Sequence, residues 1–94
     1  MTLHIIQHSR SERPNFDTCT AVAASGDALI LIQNGVLEAC KVHDSLPQEV
    51  EFWVLEDDLA GRGMESQLQS PFKPLSYDGF VELCTRHKPV HTWR

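Results

Sequence analysis

The stretch "LILIQNGVLEAC", residues 29–40, carries the reading of the fold. Four apolar residues in a row, Leu29 to Ile32, stop at Gln33-Asn34-Gly35, and Val36, Leu37, Ala39 and Cys40 then resume with a different spacing. A half-exposed strand alternates apolar and polar residues, whereas an unbroken apolar run is the pattern of a strand covered on both faces. The second half has helical spacing and predicts a helix from Val36 to about Lys41. Between them, Asn34-Gly35 can take positive φ at low cost and reverse the chain sharply.

Working outward, Leu3 to Gln7 reads as a strand, followed by the loop "HSRSERP" and a helix over 16–24. Asn15 is its expected N-cap and Ser25-Gly26-Asp27 its expected stop. A turn signal at Asp44 to Pro47 leads into "EFWVL", a third strand over 51–55. A short helix at 59–62 follows, with Asp57 or Asp58 as cap and Gly63 as stop. Phe72 to Leu75 predicts a short strand interrupted by Pro74. Ser76 caps a helix running to His87, with Tyr77, Phe80, Val81 and Cys84 at i, i+3, i+4 and i+7. Pro89 forbids its continuation, and Val90 to Trp93 predicts a last strand.

Strands alternating with helices predict one α/β domain over 1–94, a small three-layer unit with a mostly parallel sheet flanked by helices. In such sheets the site lies at the carboxyl ends of the strands, here 33–35, 8–14 and 56–58.

The 94-residue chain has net charge −5, and its Lys and Arg are scattered, so no basic stripe for direct nucleic-acid binding is present. No apolar run approaches the length of a membrane span. The start "MTLHIIQHSR" lacks a basic region followed by a long apolar one, so a cytoplasmic location is expected. Three cysteines, Cys19, Cys40 and Cys84, are an odd count in such a chain, which argues against a disulfide framework.

Cys19 is the first candidate for chemistry. It falls near the start of the first helix, after a loop holding Arg10 and Arg13. Helix N-termini and cations both stabilise a thiolate. The competing reading places Phe16, Cys19 and Ala23 on the inward face as packing. Cys40-x-x-His43 and Cys84-x-x-His87 have zinc-ligand types. Core cysteines followed by helix-end histidines account for the same pattern, and no metal or other cofactor is expected. His4 and His8 share a strand face with Ile6, without the spacing of a triad. Glu56-Asp57-Asp58 reads as capping and solvated charge. Trp93, one residue from the end of the sequence, predicts docking on this domain or on another subunit.

Taken in order, "LHIIQHS", "LILIQNGVLEAC", "FWVLEDDLAGRGM" and "LSYDGFVELCTRHKPVHTW" resemble the signature blocks of the TusB/DsrH family of sulfur-relay proteins over nearly the full chain. Asn34 stands for the usual Asp, Gly61 for Ala and Cys84 for Thr. The resemblance implies a DsrE/F/H-like fold and assembly with TusC/DsrF-like and TusD/DsrE-like subunits as a dimer of heterotrimers. It also implies transfer of persulfide sulfur from a small carrier protein to a downstream acceptor. The sulfur ends either as 2-thiouridine at the tRNA wobble position or in dissimilatory sulfur oxidation. The principal sulfur-carrying cysteine then belongs to the TusD/DsrE-like partner. The resemblance implies that this chain is an accessory, mainly structural subunit, and Cys19 matches a first-helix cysteine of DsrH-type members, a candidate persulfide carrier. The alternative is a stand-alone flavodoxin-like ligand-binding domain or enzyme. Against it, the loop after the first strand has two arginines and no glycine where a phosphate cradle needs backbone amides.

Overall fold

The computed structural model describes residues 1–43 and 45–94. Asp44, first residue of the expected 44–47 turn, lies outside the described residues. Five strands form one sheet: β1 (Leu3–Ile6), β2 (Ala28–Leu31), β3 (Glu51–Leu55), β4 (Lys73–Leu75) and β5 (Val90–Trp93). Their order is β4-β3-β2-β1-β5, and every pairing is parallel. The helices are α1 (Asn15–Val22), α2 (Glu56–Gly61) and α3 (Tyr77–Arg86), with 3₁₀ segments at Gln33–Cys40 and Glu65–Gln67.

Because side chains alternate along a strand, each strand feeds two cores. Ile6, Leu29, Leu31, Phe52 and Val54 pack on one face against Phe16 and Cys19 of α1, Val36 and Ala39 of the long 3₁₀ segment, and Leu59 of α2. Leu3, Ile5, Ala28, Ile30 and Leu55 pack on the other face against Leu83 of α3, with Phe80 and Cys84 partly buried beside it. The three layers are therefore unequal. Three connections cover the first face and a single helix covers the second.

The chain walks from β1 to β4 in one direction, and α3 then carries it back across the sheet to β5 beside β1. The order reverses between β1 and β5. A flavodoxin sheet runs 2-1-3-4-5 and reverses between its first and third strands. The flavodoxin-like alternative is thus not the topology of this chain. Pro74 sits in β4, an edge strand, where a residue without an N–H is tolerated.

Four local expectations are corrected. Pro14, not Asn15, occupies the cap position of α1, and no side chain caps it. Asn15 enters the helix, and its buried Nδ2 finds no hydrogen-bond partner among the described residues. The helix ends where Ala23 turns extended, three residues before the positive-φ Gly26. The segment after β2 is an eight-residue 3₁₀ coil beginning at Gln33, not an α-helix from Val36. In α3 the inward face is Phe80, Leu83, Cys84 and His87, while Tyr77 and Val81 are 62% and 48% exposed. The apolar arc of α3 spans about 160° at 100° per residue, and the sheet covers only one side of it. Ser76 caps α3 as expected, its Oγ accepting from the Gly79 N–H at 3.1 Å.

Candidate functional site

The carboxyl-end rim is built around the turn after β2. Gln33, not Asn34 or Gly35, takes the positive φ, at 51°. That conformation costs a non-glycine residue roughly 1–2 kcal/mol. Its N–H donates to Asp58 Oδ2 of α2 at 2.7 Å. Asn34 Oδ1 accepts from the guanidinium of Arg62, the residue that follows α2. Gly35 is needed for a different reason, since a Cβ there would stand 2.5 Å from the carbonyl oxygen of Ile6 in β1. The turn is thus held from one side by β1 and from the other by α2. α2 begins at Glu56, earlier than expected, with Leu55 in the cap position and no side-chain cap, so Glu56, Asp57 and Asp58 lie inside its first turn, where negative charge suits the helix dipole.

The loop after β1 folds on itself. Ser9 is buried, and its carbonyl accepts from the N–H groups of Glu12 and Arg13 at 3.0 Å each. The Ser9 N–H donates back to Glu12 Oε1 at 3.2 Å. That backbone bond, the largest influence, holds the Glu12 carboxyl below its usual range despite some desolvation. His8 stands 3.7 Å from Glu12 Oε2, half-exposed at the end of the strand.

Glu38, within the run "VLEAC", is fully buried, and sequence reasoning passed it over. Its Oε2 accepts from the Arg10 N–H and from Lys41 Nζ, both at 3.1 Å. His43 Nε2 donates to the Glu38 carbonyl at 2.8 Å and lies 4.0 Å from Oε1. Oε1 has no hydrogen-bond partner among the described residues. Glu38 pins the β1–α1 loop to the 3₁₀ segment. The available signal was one acid among apolar residues at helical spacing.

Cys19 lies in the second turn of α1 with no exposed surface. Burial, with the Asp27 carboxylate adding to it, pushes its thiol up to about 12. The cations expected to favour its thiolate are not the charges that act on it. Arg10 is instead paired with Asp17, Nε to Oδ2 at 3.1 Å.

Asp27 anchors a second buried network. Its Oδ1 accepts from the Thr2 N–H at 2.9 Å, and its Oδ2 from the Ala24 N–H and His4 Nε2 at 3.0 Å each. Burial opposes the anion, but those two backbone donors and His4 outweigh it and hold the carboxyl below its ordinary value. Trp93 Nε1 donates to His4 Nδ1 at 3.1 Å. The expected docking of Trp93 is therefore onto its own domain.

The two Cys-x-x-His pairs do not converge. Cys40 packs with the α1-side core and Cys84 with the α3-side core, on opposite faces of the sheet. His43 and His87 are each bonded to a backbone carbonyl, of Glu38 and Leu83. No group of three metal-ligand side chains occurs among the described residues. Among them too, no helix is long and apolar enough to cross a membrane.

Comparison with known proteins now defines the class. The DsrH-like protein family matches residues 8–90. Protein TusB of Pectobacterium parmentieri is 32% identical over 93 residues, 92% of this chain and 98% of that protein. Protein TusB of Yersinia pestis (strain Pestoides F) is 34% identical over 76 residues, 77% of this chain and 80% of that one. The solution structure of protein Tm0979 from Thermotoga maritima shares the fold, with TM-score 0.72 at 24% identity, covering 95% of this chain and 97% of that one. The chain belongs to the TusB/DsrH family of sulfur-relay proteins.

Proposed function

We propose that the chain is the TusB-type subunit of a cytoplasmic heterohexameric relay, assembled with TusC/DsrF-like and TusD/DsrE-like partners. The complex receives persulfide sulfur from a small carrier protein and passes it to a downstream acceptor. The sulfur is destined for 2-thiouridine at the tRNA wobble position, a choice supported by the name TusB on the similar proteins. The role of this subunit is mainly to hold its partners. One observation carries that reading: Cys19, the residue considered as a persulfide carrier, is fully buried with its thiol pushed up to about 12. A persulfide forms on a thiolate within reach of its donor, so the burial of Cys19 and its raised thiol support a packing role in the α1-side core over a carrier role.

Co-expression with the two partner subunits tests this. The expected product is a defined hexamer by native mass measurement. Deleting the gene is expected to remove most wobble 2-thiouridine, with Cys19→Ala restoring it. A monomer indifferent to both partners, or unchanged 2-thiouridine after deletion, overturns the proposal. Failure of Cys19→Ala alone to restore the modification would return Cys19 to the role of carrier.

A further inference from the structure

Between α2, the Glu65–Gln67 turn and β4 runs an apolar groove with Leu59, Leu68 and Pro74 along it and Glu56, Asp57 and Glu65 around it. The nearest cations on these elements are engaged elsewhere. Arg62, which follows α2, is bonded to Asn34. Lys73, the neighbouring residue of β4, alternates with Pro74 and so points to the opposite face of the sheet. Among the described residues, no Lys or Arg stands along the groove.

We infer that this groove is the docking site for a basic, apolar segment of a partner subunit: one apolar side chain with lysine or arginine within about a helical turn of it. The inference rests on the reading of the chain as a relay-complex subunit. The apolar side chain lies along Leu68 and Pro74, while the cations meet Glu56, Asp57 and Glu65. Complementary charge across such a rim fixes register and speeds encounter more than it adds affinity. Strand addition is not the mode of contact here, because β4 presents Lys73 and Pro74 along its edge. The negative rim also repels phosphate, which turns away both nucleic acid and anionic lipid.

The test uses the whole chain, ¹⁵N-labelled, with the unlabelled TusC/DsrF-like and TusD/DsrE-like subunits. Amide shifts concentrated at Glu56–Ala60 and Glu65–Leu68 are expected on binding. The triple variant Glu56→Gln, Asp57→Asn, Glu65→Gln is expected to bind about tenfold more weakly at low salt, the difference shrinking as salt rises. A control removing three exposed acids elsewhere, Glu49→Gln, Asp78→Asn, Glu82→Gln, is expected to bind like the parent. Leu68→Ser tests the apolar part and is expected to weaken binding at every salt concentration. Partner binding mapped away from the groove, or a triple variant no weaker than the control, overturns the inference and leaves the proposed function standing. No binding to either partner overturns both. Self-association of the free chain that the triple variant abolishes would assign the groove to a second copy, and so overturns the partner assignment.

Discussion

Trp93 and His4, 89 residues apart in sequence, share a hydrogen bond of 3.1 Å that closes β5 onto β1. An indole N–H can only donate, so His4 Nδ1 must carry its lone pair. The proton of the neutral ring is then on Nε2, facing Asp27 Oδ2 at 3.0 Å. Asp27, His4 and Trp93 form one line of hydrogen bonds from the turn before β2 to the edge strand.

That line predicts a tautomer. Nitrogen NMR at neutral pH is expected to show His4 with an unprotonated Nδ1 and a protonated Nε2. Trp93→Phe keeps the ring and deletes the donor, and is expected to lower stability by about 1 kcal/mol in urea unfolding. An unchanged stability would mean that the bond adds nothing beyond ring packing.

Acid stability is expected to depend on Asp27. Its folded carboxyl titrates below the unfolded value of 3.8. The unfolded chain therefore takes up the proton first as pH falls, and the stabilisation, complete above that value, is lost as pH drops through the folded one. Asp27→Asn should flatten this acid arm and cost roughly 1.5–3 kcal/mol at neutral pH, because buried donors lose a charged acceptor. Thermal unfolding from pH 2 to 7 reads both effects.

At the alkaline end the sign reverses for Cys19. Its thiol is raised from 9.0 to about 12, so above pH 9 the unfolded chain loses a proton that the folded chain retains. Stability should fall as pH rises from 9 towards 12, and Cys19→Ala should remove part of that slope. In the native chain at pH 8, iodoacetamide is expected to label Cys19 more slowly than the half-buried Cys40 and Cys84. Mass mapping of the labelled peptides gives the order.

Two glycines should respond oppositely to alanine. Gly35→Ala brings a Cβ to 2.5 Å from backbone that cannot rotate away, and is expected to cost about 3 kcal/mol or more. Gly61→Ala, at the end of α2, meets nothing within 4 Å and is expected to stabilise by about 0.4–1 kcal/mol. Urea midpoints of the two variants decide both.

The Arg10 amide, bonded to buried Glu38, is expected to be protected from hydrogen exchange although its loop lies at the surface. Glu38→Ala should abolish that protection and cost roughly 1.5–3 kcal/mol. Retained protection would show that the loop holds itself without Glu38.

The sequence by itself determined the fold class and the approximate place of each strand and of the three α-helices. Leu29 to Leu31 had to be a doubly covered strand because hydrophobic burial follows local patterning, and Ser76 and Pro89 bounded α3 because caps and ring constraints act within a few residues. The family blocks were legible for the same reason, as short runs of local constraint. Tertiary structure alone decided the contacts between residues far apart in the chain. β5 pairs with β1 rather than β4, and this places Trp93 over His4. Gly35 is required by the carbonyl of Ile6 in β1, a contact that no local turn preference encodes. The face of α3 turned inward depends on which side of its wide apolar arc meets the sheet. Spacing left Cys19 open between packing and an activated thiol. Burial and the nearby Asp27 carboxylate raise that thiol in the free chain, an effect no local pattern encodes, because desolvation and Coulomb energy depend on distances that only the folded chain sets.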